Sequence, residues 1–169
     1  MTRFQHGPLA RHEAFTPFSR DHYTGLVQAR HLIKAGRADG VARRKAVADF
    51  VDAFDHHIAE HFRDEERLLG GILSDADRDT LHAQHQRLTR DAEQLRQLRK
   101  SIDPDPQTLA EIGQRLEEHI RWEERELFNR VQQQLDEKQI AELQHQTAEI
   151  EAARPRNIHR PDGEGNPPT

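Results

Sequence analysis

Four segments of this sequence repeat apolar residues at intervals of three and four, and each of those stripes is broken by a histidine. The first reads Phe18, His22, Leu26, Ala29, Ile33, and the second Val47, Phe50, Phe54, Ile58, His61, Glu65, Leu68. The third reads Leu81, His85, Leu88, Ala92, Leu95, and the fourth Leu109, Ile112, Leu116, His119, Glu123, Leu127, Val131. A period near 3.6 puts each set on one face of a helix, and no stretch alternates with period two as a half-buried strand would. The pattern predicts an all-α fold.

Capping residues, prolines and glycines divide the chain accordingly. Thr16 followed by Pro17 reads as the start of the first helix, with Gly36 closing it. Asp39 opens a long second helix that Gly70 and Gly71 end; Ser74, with Asp77 three residues on, caps a third that reaches about Lys100. Asp105 and Pro106 start a fourth, running to about Gln134, and Asp136 begins a shorter fifth that ends before Pro155. Four amphipathic helices with short connections favour an up-down-up-down four-helix bundle. The expected organisation is an N-terminal arm over 1–15, a helical bundle with a short fifth C-terminal helix over 16–153, and a disordered tail over 154–169, rich in Pro, Gly and charge.

At 169 residues the chain suits one domain with a real core, but only 34% of its residues are hydrophobic and 33% are charged. With so little apolar content, the placement of the apolar residues carries the fold. Net charge is −5 and the basic residues are interspersed with acidic ones, which argues against nucleic acid as a partner. There is no cysteine, so thiolate metal sites and disulfides are excluded. The first residues lack the uninterrupted apolar core of a secretory signal, and no apolar run approaches the roughly 20 residues that span a bilayer. A cytoplasmic protein with no membrane association is the expectation; the sequence names no protein partner.

The stripes also carry the chemistry. An ionised carboxylate buried among apolar side chains costs several kcal/mol unless it is paired or bound to a metal. Six polar residues (His22, His61, Glu65, His85, His119 and Glu123) occupy positions where a bundle would place Leu, Ile or Ala, and no Lys or Arg shares those positions. A bound cation is the simplest compensation. His61 with Glu65 and His119 with Glu123 are i, i+4 pairs, one turn apart on one face, so both side chains can reach one point. The motif repeats: HFRDEER at 61–67 and HIRWEER at 119–125 agree at five positions. Two helices in equivalent roles about a pseudo-two-fold axis fit two metal positions, each with two histidines and both sharing the two carboxylates. Nitrogen and oxygen donors without thiolate suit iron, zinc or manganese.

The same spacing recurs in His56 with Glu60 and His145 with Glu149, but these lie off the stripes and read as surface pairs. His57 and His82 stand beside the stripes and are weighed as extra ligands or supporting groups, while His31, His6, His12 and His159 read as solvated. Glu66 and Glu124, by helical phase, read as surface residues; Trp122 and Tyr23 read as packing.

SRDHYTGLVQAR around His22, HFRDEERLL, LHAQHQRL around His85 and HIRWEERELF together resemble the hemerythrin-like (HHE cation-binding) family across about residues 16–150. The resemblance implies two iron ions in a non-haem di-iron centre, with His22 and His61 on one iron, His85 and His119 on the other, and Glu65 and Glu123 bridging. Oxygen-carrying hemerythrins have a fifth histidine where this chain has Leu81. That departure points to the four-histidine branch, with His57 or His82 as candidate replacements for the missing donor. The implied function is binding or sensing a small diatomic ligand or peroxide (O2, NO or peroxide) or iron itself. The alternatives are an enzyme turning over peroxide or NO, assistance in repairing iron centres under stress, and a zinc-stabilised structural bundle.

Overall fold

The structure, a computed structural model, describes residues 11–154. The remainder of the expected arm and tail, with His6 and His159, lies outside the described residues. A single 3-10 turn at Glu13–Phe15 leads into α1 (Thr16–Ala35). α2 (Gly40–Ala53) continues through a π-helical turn at Phe54–Ile58 into α3 (Ala59–Leu69). α4 spans Asp75–Leu98; α5 (Pro106–Trp122) passes through a second π-turn at Glu123–Leu127 into α6 (Phe128–Gln134), and α7 covers Glu137–Ala153. No strand occurs among the described residues, and none of the helices is long and apolar enough to cross a membrane.

Most helix starts follow from the capping residues. Asp39, Ser74, Asp105 and Asp136 each accept a hydrogen bond from the backbone N–H three residues on, and Asp136 forms a full capping box with Gln139. Thr16 is an exception. The preceding 3-10 turn, capped by the His12 ring, runs straight into α1, so Thr16 is already helical and makes no side-chain cap. The fifth helix, α7 with 17 residues, is shorter than α1 with 20 and α4 with 24, as the sequence predicts.

α1, α2–α3, α4 and α5–α6 form the four walls of the bundle, each packed on its sequence neighbours, with α1 closing the ring against α5. That last seam is tight because two glycines line it. A Cβ on Gly113 would stand 2.5 Å from the backbone oxygen of Ala29, and one on Gly25 would stand 2.7 Å from Ile120 Cδ1. The buried arc of α1 is accordingly Phe18, His22, Gly25, Ala29 and Leu32, while Leu26 and Ile33 are only half-buried. In α3, Leu69 rather than Leu68 goes to the interior. Both shifts have one cause: a helix with neighbours on two sides buries an arc wider than one stripe, and close packing on one side rotates it.

The apolar interior is divided into two clusters. One is built around Phe50, Phe54, Leu88, Leu95, Ile112 and Leu116; the other, at the opposite end, around Phe15, Phe18, Leu69, Leu81, Leu127 and Phe128. α7 rests on the 3-10 turn and adds Leu143 to the second cluster. Between the clusters lies a polar layer.

Candidate metal centre

His22, His61, Glu65, His85, His119 and Glu123 form that layer, each at most 5% exposed. Every one of them was singled out by the stripes, and the bundle brings all six together. They fall into two groups whose donor atoms lie within 4.8 Å of one another: His22, His61, Glu65 and Glu123 in one, Glu65, His85, His119 and Glu123 in the other.

The glutamates belong to both groups, with their oxygens divided. Glu65 Oε1 lies 3.6 Å from His22 Nε2 and 3.3 Å from His61 Nε2, while its Oε2 is 3.4 Å from His85 Nε2. Glu123 Oε2 is 3.1 Å from His22 Nε2, and its Oε1 stands 3.2 Å from His119 Nε2 and 3.6 Å from His85 Nε2. All four Nε2 atoms and all four carboxylate oxygens are buried with no hydrogen-bond partner. Buried polar atoms are ordinarily satisfied. Eight orphaned lone-pair donors converging on two points are what a pair of cations requires, so the residues present fit a two-metal site.

Three of the other ring nitrogens are held from behind by a hydrogen bond, and the fourth faces a carboxylate. His22 Nδ1 pairs with Glu124 Oε1 at 2.7 Å, His85 Nδ1 with Glu66 Oε1 at 2.8 Å, and His119 Nδ1 with Gln84 Oε1 at 2.7 Å. His61 Nδ1 makes no hydrogen bond; it faces Asp21 Oδ2 at 3.3 Å as an ion-pair contact. An acceptor at Nδ1 keeps the proton there and presents Nε2 as the bare donor, which is the usual support of a metal-ligating histidine. Apolar rings fix the imidazole planes: His85 stacks on Phe62 with centroids 3.9 Å apart, and His22 lies parallel to Phe128 at 5.7 Å.

Glu66 and Glu124 are therefore not surface residues. One position past the buried glutamate, a side chain points about 100° around the helix, and in a bundle that direction is the seam with the next helix. Both glutamates are long enough to cross it, and only part of each side chain meets water. Asp21 and Gln84 were not singled out at all. Their one signal was position: each immediately precedes a stripe histidine and backs the histidine of a neighbouring helix.

The remaining histidines divide as the stripes suggest. His56, His57, His82, His31 and His145 are exposed, so neither His57 nor His82 takes the place of a fifth histidine. Leu81, at that position, is fully buried in the apolar cluster beside the site. Tyr23 is 71% exposed and packs on nothing in the site, whereas Trp122 is half-buried and stacks near His119.

Electrostatics in the layer are strongly perturbed. Burial alone would raise Glu123, but the facing imidazoles of His119, His22 and His85 outweigh it and hold the carboxyl well below its ordinary range. Burial opposes charge on His85, yet the carboxylates of Glu123, Glu65 and Glu66 push its pKa up to about 11, and His22 is raised in the same way. His119, backed by a neutral amide, goes the other way: burial dominates and lowers it to about 4.

A family model, the hemerythrin HHE cation binding domain, matches residues 20–131. That segment holds all six residues of the layer. The chain belongs to the hemerythrin HHE cation-binding family. No curated protein and no solved structure matches the chain. As an HHE domain it is a cation-binding protein, and its two buried His/Glu groups are where a metal can be held.

Proposed function

We propose that this HHE domain is a non-haem di-iron protein that binds or senses a small molecule, O2, NO or peroxide, at two irons. His22 and His61 would hold one iron, His85 and His119 the other, with Glu65 and Glu123 shared between them. One observation carries the reading: each buried glutamate turns one oxygen toward His22 or His22 and His61 and the other toward His85 or His85 and His119. Four imidazoles and two carboxylates suit iron, zinc or manganese, and the resemblance to the hemerythrin-like family favours iron among them. It also leaves positions for an incoming ligand, since Leu81 supplies no donor.

Iron in this setting would supply reversible ligand coordination and one-electron redox chemistry. The chain does the rest. Glu124, Glu66 and Gln84 fix three imidazole tautomers, Asp21 faces the fourth ring, and the two apolar clusters keep water from the layer on both sides. A surface recess of about 490 Å³ leads toward the layer; its walls include Phe54, Phe62, Arg63, Glu66 and His85. The recess has a candidate ligand, His85, in its wall, which suits access by a small molecule.

The test is metal analysis of the purified chain, followed by absorption spectra of the iron form under argon, air, NO and peroxide. Two irons per chain with a reversible spectral change on adding and removing the gas are expected. Multiple turnovers with a defined product would instead mark an enzyme. A folded preparation that takes up less than one metal per chain would overturn the reading.

A further inference from the structure

The pseudo-two-fold symmetry of the site is broken behind the ligands, and two arginines, Arg11 and Arg154, break it. Glu66 and Glu124 correspond, as do Gln84 and Asp21, each by its place beside a stripe residue. Around His85 and His119 the backing groups are the Glu66 carboxylate and a neutral amide, and no arginine among the described residues pairs with either. Around His22 and His61 both backing groups are carboxylates, and each is gripped by a guanidinium. Arg11 bonds Glu124 through Oε2 at 2.9 Å and through its backbone oxygen. Arg154, at the end of α7, pairs with Asp21 and reaches Asp64 Oδ2 at 2.6 Å with its other nitrogen. Arg11 and Arg154 both lie outside the segment 20–131 that matches the family. Arg154, the first residue of the expected tail, is thus tied into the bundle.

We propose that Arg154, acting through Asp21 on His61, and Arg11, acting through Glu124 on His22, are positioning residues that make the two metal positions electrostatically unequal. The inference rests on the two-iron reading above. A backing carboxylate draws the Nδ1 proton toward itself and makes the imidazole a richer donor, which stabilises the more oxidised metal. A guanidinium on that carboxylate cancels much of this effect. The iron at His22 and His61 is therefore the easier one to reduce, and α7 contributes to its potential without touching it.

The experiment measures the midpoint potentials of the two one-electron steps in iron-loaded wild type, Arg154→Ala and the double variant Asp21→Asn/Arg154→Ala, with iron content determined for each. Arg154→Ala exposes the Asp21 charge to His61, so one step should move to lower potential while the other stays in place. The double variant puts a neutral amide behind His61, as Gln84 stands behind His119, and should return that step toward the wild-type value. A merely structural role for Arg154 predicts no such rescue. Two unmoved steps, two steps moved equally, or failure of Asp21→Asn to restore the shift would each overturn the proposal while leaving the two-iron reading intact. Wild type that does not load two irons would overturn both.

Discussion

At the scale of single residues, stripe position separates ligand candidates from bystanders more sharply than the His-x-x-x-Glu spacing does. His145 and Glu149 share the spacing, but both side chains are about 70% exposed, with a loose contact of 3.8 Å. His61→Ala and Glu123→Ala should abolish stoichiometric metal loading, whereas His145→Ala should leave the metal content of the purified protein unchanged. Removing a backing group acts more gently. Glu66→Gln and Glu124→Gln keep a hydrogen-bond acceptor at Nδ1 but remove its charge, and loss of such support typically weakens metal affinity roughly 10–100-fold. Competition with a chelator should show faster release for both variants than for Glu126→Gln, whose side chain lies away from the site. Equal release rates across the three would show that the backing carboxylates are decorative.

At the scale of elements, the α1–α5 seam sets how closely the histidines of α1 and α5 can approach. Gly113 sits against backbone, the oxygen of Ala29, with Leu32 Cβ at 3.1 Å, so an added methyl meets atoms that cannot swing aside. Alanine would gain up to ~1 kcal/mol of helix propensity, but overpacking of a tight core typically costs about 1–3 kcal/mol. Gly113→Ala should therefore lower the thermal unfolding midpoint. Gly71, with nothing within 4 Å of an added Cβ, is the control, and Gly71→Ala should not lower it. The π-turns are the element-scale feature that the stripes did not foretell. They lie at Phe54–Ile58, just before His61, and at Glu123–Leu127, which begins on a glutamate of the site. Such turns occur often at functional positions. An apolar period averaged over several turns does not register one wider turn.

At the scale of the whole molecule, the layer couples protonation, metal and stability. In the metal-free protein His22 and His85 are raised above 6.5, the carboxylates facing them outweighing the cost of burial. Raised histidines contribute stability that is fully present below pH 6.5 and is lost as pH climbs through the folded pKa, about 11 for His85. Cations compete with those protons, because a ligating imidazole must be neutral. Loading at pH 7 should release protons, that of His85 among them, readable with an indicator dye in weak buffer. Apparent affinity should rise with pH for the same reason. A loading reaction without proton release would mean that the imidazoles are already neutral. Glu65 and Glu123 impose the opposite limit: both are lowered, Glu65 against burial and the charge of Glu123, so their contribution is lost as pH falls through their folded values.

The helices, the antiparallel ring and the six inward polar residues were legible in the sequence, because each depends on local periodicity and capping that one strand of text records. HFRDEER and HIRWEER carry the two-fold relation in the sequence itself. What periodicity cannot record is a residue's neighbour across a seam. Glu66 and Glu124 look solvent-facing on an isolated helix, Asp21 and Gln84 look unremarked, and Arg11 and Arg154 fall in an arm and a tail. Only packing brings these side chains behind the histidines, since a hydrogen bond between helices depends on where two axes lie, and no spacing along one chain contains that distance.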